Sequence, residues 1–364
     1  MNFIIEYANS AMKLKLSKIV AILAVMAILA TLLFSCSPSA ALKEPTDEEY
    51  EKIYEMENPI LELDRLGRFD ILLLSDLLLT GTESEDDINT LKGIEDILEA
   101  AKHDDDPYHL VVLNGNTFSD QKHTLGYSKY VAIQKLADLF GRYEQKWTFV
   151  NGEKDGAILG SSKAIIYECS QYPGFVIADT PNLLGAGNFF IILNNMYGEE
   201  KHRIIFIDSG RLDSDNTLLP VDQTQITWAK GVMQETQNKF IFSSIITHSP
   251  VNEYSVAFSN GTKISYANGN GFDMFDGLIN APAENDSLYI AVKNASYNGL
   301  LVAASEGSEF LRYYDDMYWF LTRSAGYASI STLPRGAATL TVESYPQAVR
   351  DKYWFGRKDF VTTD

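Results

Sequence analysis

Short apolar runs separated by helical and polar stretches organise this chain. Ile71-Leu72-Leu73-Leu74 and Leu110-Val111-Val112-Leu113 are continuous apolar runs, the pattern of strands covered on both faces. Between them lie the acidic, cap-rich Thr82–Asp86 and then Ile88, Leu91, Ile94, Ile97, Leu98 and Ala101 at helical spacing. Ile133, Leu136, Ala137 and Phe140 predict a second helix, and Trp147-Thr148-Phe149-Val150 a third strand. Later strands are predicted at Phe189–Leu193, Arg203–Asp208, Ser243–Thr247 and Leu300–Ala304, with Ala337–Val342 as the last. Successive βα units ending in polar turns predict an α/β fold with a largely parallel beginning. No internal repeat or later linker interrupts the pattern, so residues 62–364 read as one domain.

The N-terminal segment has a different pattern. Lys13, Lys15 and Lys18 precede an apolar run from Ile19 to Phe34 that ends at Ser35-Cys36. A basic stretch, an apolar stretch and then small residues make residues 1–35 a predicted secretory signal. Leu33-Phe34-Ser35-Cys36 resembles the lipobox of bacterial lipoproteins, which implies acylation of Cys36 and a lipid-anchored domain on the extracytoplasmic face of a membrane. The polar, acidic stretch 36–61, with Pro38 and Pro45, is predicted to be a tether.

Charge narrows the partners. The 364 residues carry 30 basic and 49 acidic side chains, a net charge of −19. Such a surface repels a phosphate backbone, which argues against nucleic-acid binding. Two cysteines exclude a disulfide framework and zinc knuckles or ribbons.

In a sheet of this kind, ligand-bearing residues lie just past the carboxyl ends of strands. Those points read Ser75-Asp76-Leu77-Leu78, Gly115-Asn116-Thr117-Phe118-Ser119-Asp120, Gly152-Glu153-Lys154-Asp155, Thr247-His248-Ser249-Pro250 and Ser305-Glu306-Gly307-Ser308. Their order along the chain resembles the calcineurin-like metallophosphoesterases, whose motifs run DxH, GDxxD, GNH[DE], a histidine before xP, and GHxH. The stretches RIIFIDSG (203–210), QITW (225–228) and RSAGY (323–327) are similar to the purple-acid-phosphatase-like branch of that superfamily. The resemblance implies a four-layer αββα sandwich of two mixed sheets, and a centre in which seven side chains hold two metal ions that activate a water.

Carried over position by position, only Asp76 and His248 match the ligands of that centre. Leu78 and Ser308 stand where histidines are expected, Asn116 replaces the bridging aspartate, and Glu153 and Glu306 occupy two further ligand positions. Lys154 stands in place of the phosphate-contacting histidine. Two outcomes are open. Asp76, Asn116, Glu153, His248 and Glu306 are candidate ligands for one divalent ion (Zn, Mn or Fe), with Lys154 contacting phosphoryl oxygens in an active phosphoesterase. Alternatively Lys154 takes the place of the missing cation, no cofactor is needed, and the domain serves as a non-catalytic binding or scaffolding module for a phosphorylated ligand, a carbohydrate or a protein partner. Whether Lys154 pairs with Asp76 or Glu306 separates the two.

Other signals carry less. Gly185-Ala186-Gly187 precedes a strand rather than a helix and predicts a flexible turn, not a phosphate cradle. The Asn-Gly pairs at 260–261, 268–269 and 270–271 predict a surface loop, in a region that the resemblance implies overhangs the site. Tyr313, Tyr314, Tyr318 and Trp319 read as core. Asp120 and Asp155 read as turn-formers, and His103, His109, His123 and His202 as solvent-exposed.

Overall fold

The computed structural model describes residues 42–119, 126–155, 162–237, 242–269, 271, 273–275, 286–295, 299–331, 333–344 and 352–360. The predicted signal segment, Cys36, Asp120 and His123 lie outside these residues. From Leu42 onward the chain forms one compact unit. Among the described residues no helix is long and apolar enough to cross a membrane.

Two sheets organise that unit. The first five-stranded sheet has the order β13-β12-β2-β3-β4: β2 (Arg68–Leu74), β3 (Leu110–Asn114) and β4 (Trp147–Val150) run parallel, and β12 (Gly336–Glu343) and β13 (Lys352–Asp359) add antiparallel. The second, eight-stranded sheet has the order β1-β5-β6-β7-β9-β11-β10-β8, built from β1 (Ile60–Glu62), β5 (Phe189–Asn194), β6 (Glu200–Phe206), β7 (Phe242–Ile246), β8 (Thr262–Lys263), β9 (Leu300–Ala304), β10 (Phe310–Tyr314) and β11 (Met317–Thr322). Both sheets mix parallel and antiparallel pairs.

The side-chain alternation of the second sheet shows how the layers stack. Phe189, Ile191, Leu193, Ile204, Phe206, Ile246 and Val302 join the core formed with the five-stranded sheet and with α2 (Glu85–His103), α3 (Gly126–Arg142) and α4 (Ser162–Cys169). Their neighbours Ile205, Ile245, Leu301, Ala303 and Leu321 point the other way, into a separate core with α5 (Gln223–Gln237), α6 (Glu253–Asn260) and α7 (Asp286–Ala295). Period-two alternation thus gives each face its own apolar layer. The result is the expected αββα sandwich. The runs Leu110–Leu113 and Trp147–Val150 are buried on both faces, as covered parallel strands require.

Four expectations need correction. Residues 42–61 are not a free tether. Thr46 and Glu49 close a reciprocal capping box on α1 (Asp47–Tyr54), whose Tyr50 and Ile53 are buried. The Tyr50 hydroxyl donates to Asp179 at 2.9 Å, and β1 extends the large sheet beside β5. Ala337–Val342 is not the last strand, because β13 covers its far side. Neither His202 nor His109 is solvent-exposed: His202 is fully buried, with Nε2 2.8 Å from the Ser244 hydroxyl and Tyr353 of β13 edge-on against its ring, and half-buried His109 accepts from the Asp70 amide at 3.0 Å and stacks on Phe69. The Gly185–Gly187 turn is anchored rather than flexible: Asp208 accepts from the Ala186 amide at 2.9 Å, and a Cβ on Gly185 (φ +82°) would overlap that carboxylate.

Candidate functional site

The turns after β2, β3 and β4 meet edge to edge, and their backbones are unusual. Asp76, Leu78 and Asn116 have φ of 50°, 53° and 49°, a region that non-glycine residues seldom occupy. Backbone hydrogen bonds hold them there: Asp76 N to Gly115 O (3.0 Å), Leu78 N to Asn116 O (3.0 Å), Leu79 N to Thr117 O (2.8 Å) and Ser119 N to Leu79 O (3.0 Å). Two glycines allow the close approach. A Cβ on Gly115 (φ +75°) would overlap the His248 ring, and one on Gly152 would overlap the Asn116 backbone. Asp155 has the turn-forming role expected of it, since its carboxylate accepts from the Phe118 amide at 2.9 Å and the Gly152 amide at 2.7 Å.

The turns surround a cleft of about 390 Å³ lined by Asp76, Asn116, Glu153, His248 and Glu306, the five residues singled out from the sequence. Leu78 is buried and Ser308 fully buried, and neither lines the cleft. Lys154 forms an ion pair with Glu306, each side chain about one-fifth exposed (22% and 21%). Of the rest of the wall, Ser249, Pro250, Ser305 and Gly307 belong to the polar turns read from the sequence, and Ala304 ends the strand before one of them. Sequence reasoning missed Met274, Ile330 and Ser331: nothing in the local pattern marks them, and they reach the cleft only through the tertiary fold.

Burial and charge set the protonation states. His248 places Nδ1 2.9 Å from the Asn114 carbonyl, which can only accept, so Nδ1 carries the proton and Nε2 presents a lone pair. Burial pulls the His248 pKa below its ordinary value, despite that carbonyl and the Glu153 charge. Nε2 stands 3.8 Å from Asp76 Oδ1. Asp76 is 1% exposed. Burial first, and then the Glu306 charge, push its carboxyl up to about 7, against the Asn116 hydrogen bond and the Lys154 charge. Its Oδ2 has no hydrogen-bond partner among the described residues. Glu153 is raised too, by burial above all and by the charges of Asp76 and Glu306, against His248 and Lys154. Burial also pushes Glu306 upward, but the Lys154 hydrogen bond and charge prevail and leave it below the ordinary carboxylate value.

The donor set does not fit a two-metal centre. Asn116 uses both ends of its amide: Nδ2 donates to Asp76 at 3.0 Å and Oδ1 accepts the Lys154 amide at 2.9 Å. A neutral amide so engaged bridges two dications poorly, and Leu78 offers no donor. Glu306 is taken by an ammonium. Among the described residues, no group of three or more His, Cys, Asp or Glu side chains is placed to hold a metal ion.

Comparison with known proteins places the fold. No family model and no curated protein matches the sequence. Among solved structures, a dimetal phosphatase from Danio rerio superposes with a TM-score of 0.52 at 10% identity, over 80% of this chain and 99% of that one. SoxB, a sulfate thiohydrolase from Thermus thermophilus, aligns at a TM-score of 0.43 and 8% identity over 79% of this chain and 56% of that one. The layered sheets and the zebrafish structure agree with the order of motifs along the chain: the protein has the calcineurin-like metallophosphoesterase fold.

Proposed function

We propose that this chain is a membrane-tethered, extracytoplasmic lipoprotein whose phosphoesterase-fold domain serves as a non-catalytic binding or scaffolding module. The observation that carries this reading is the Lys154–Glu306 ion pair. It joins the two positions where the resemblance implies a phosphate-contacting histidine and a metal-ligating histidine. An ammonium held there neutralises one carboxylate that a metal would need, and Asn116 has already removed the bridging charge. The Cys36 lipobox supports the anchoring.

A second reading, a one-metal phosphoesterase using Glu153, His248 and Glu306, draws support from the unpartnered Asp76 Oδ2 and the inward lone pair of His248. One experiment separates the two: elemental mass spectrometry of the full chain in a non-ionic detergent, with assays on p-nitrophenyl phosphate and its bis-ester plus Mn²⁺, Zn²⁺ or Fe²⁺. Substoichiometric metal and no turnover are expected. Metal-dependent turnover that disappears in His248→Ala establishes the second reading instead. Anchoring is checked by Cys36→Ser, which should release the chain from the membrane fraction.

A further inference from the structure

Three carboxylates line the cleft floor and wall: Asp76, Glu153 and Glu306. The cations close to them are few and engaged. Lys154 is bound to Glu306, and His248 Nδ1 is engaged by the Asn114 carbonyl. Arg335 lies near Glu306, but its guanidinium donates to the Ser329 carbonyl at 2.7 Å and the Leu333 carbonyl at 2.9 Å. Among the described residues no arginine or lysine lines the cleft. A phosphate entering it would face the carboxylates of Asp76, Glu153 and Glu306, a poor environment for an anion.

The cleft also holds an acceptor that its own donors leave unpaired. Asp76 is 1% exposed, lines the cleft beside Ser249, Ser305 and Ser331, and leaves Oδ2 without a hydrogen-bond partner among the described residues. His248 Nε2, a second acceptor, stands 3.8 Å from Asp76 Oδ1. An acceptor without a protein donor inside a cleft calls for a donor from the ligand. The lining also offers apolar surface: Met274 and Pro250 belong to it, as does Ile330, 89% exposed. An acidic, acceptor-rich lining with apolar surface matches a primary ammonium group carried on a short hydrocarbon chain.

From this arrangement we infer that the cleft binds an organic ammonium ligand, its N–H groups donating to Asp76 and its alkyl part lying against Met274 and Ile330. The inference deepens the non-catalytic reading and rests on it, because a resident metal would occupy the same acceptors.

The test uses the full chain in non-ionic detergent and three probes at constant ionic strength: n-butylammonium chloride, butan-1-ol and inorganic phosphate. Saturation-transfer NMR and calorimetry should show n-butylammonium binding, butan-1-ol binding at least about tenfold more weakly, and phosphate not competing. Asp76→Asn, nearly isosteric, should weaken n-butylammonium about tenfold to a hundredfold, the loss of a charge-assisted hydrogen bond, while its thermal unfolding shows that the fold is kept. Ile330→Ser should weaken it less, and should reduce the preference for butylammonium over methylammonium. Butan-1-ol binding as tightly as n-butylammonium, or phosphate displacing it, overturns the inference. A parallel Zn²⁺ titration distinguishes the causes of failure. Stoichiometric Zn²⁺ binding with phosphatase turnover overturns the metal-free reading itself, whereas absence of both Zn²⁺ and n-butylammonium binding overturns the ammonium ligand alone.

Discussion

Replacing Lys154 by methionine is the sharpest perturbation of the cleft, because it keeps the aliphatic volume and removes only the cation. Glu306 then loses its ion pair beside Asp76 and Glu153. Breaking a fully buried pair costs about 3–5 kcal/mol, and exposed pairs contribute about 0–1 kcal/mol. With each partner about one-fifth exposed (22% and 21%), an intermediate loss of about 1–3 kcal/mol is expected near neutral pH. The loss has a definite pH dependence. The folded Glu306 pKa lies below its ordinary value of 4.5, so its contribution is present above that value and disappears as pH falls through the folded pKa. The destabilisation should therefore hold from about pH 7.5 to 5.5 and shrink below about pH 4.5. Urea unfolding followed by fluorescence of the four tryptophans measures it. Glu306→Met in the Lys154→Met background should recover most of the loss, giving a coupling energy of about 1–3 kcal/mol. A Lys154→Met protein as stable as the parent at neutral pH, or a difference that does not change with pH, would show that this pair does not stabilise the cleft.

Other residues make independent predictions. Asp76 sits at about 7 when folded, above its unfolded value, so it favours folding at low pH and costs stability as pH rises through 7. Asp76→Asn should therefore stabilise the chain by about 1–4 kcal/mol near pH 8 and hardly at all below about pH 4, as chemical denaturation at both pH values would report. Gly115→Ala forces a Cβ into the His248 ring at positive φ, and should lower stability by about 2–4 kcal/mol and shift the His248 ring resonances. Ile53→Ala, in the helix that replaces the expected tether, should cost about 2–4 kcal/mol; a free tether would show no change in unfolding midpoint. Nitrogen-15 spectra should find His248 predominantly neutral at pH 7.5, with the proton on Nδ1.

The parts legible from sequence were those in which local pattern and tertiary role coincide. Leu300–Ala304 is a strand with the bounds its apolar run predicts, and the five polar turns past the strand ends supply nine cleft residues, the five singled-out side chains among them. What was missed depends on neighbours distant in sequence. His202 resembles a polar edge residue until Tyr353 packs against it, and that strand was itself obscured because Gly356 and the buried Arg357 interrupt its aromatic run. Asp47–Tyr54 is so acidic that composition suggested a solvated tether. The informative signal was the Thr46/Glu49 pair, two residues that cap a helix whose Tyr50 and Ile53 are buried in the domain and whose Tyr54 packs against it.

The same distinction bears on how the cleft keeps its shape on the proposed reading without a metal. The strained turns at Asp76, Leu78 and Asn116 are fixed by backbone hydrogen bonds between adjacent strands' ends, and Asp155 braces the third turn through two amides. At Leu78 and Asn116, where the resemblance implies substituted ligands, these bonds use only the backbone. Leu78 keeps its backbone bond to Asn116 although its side chain offers no donor. Asn116 goes further, since its amide contributes two hydrogen bonds that tie Asp76 to the Lys154 backbone, and a bridging aspartate could accept but not donate the first of them. On the proposed non-catalytic reading, protein donors hold together the acidic groups that cations hold in the two-metal centre implied by the resemblance. The charge left over, on Asp76 and Glu153, is what a ligand would meet.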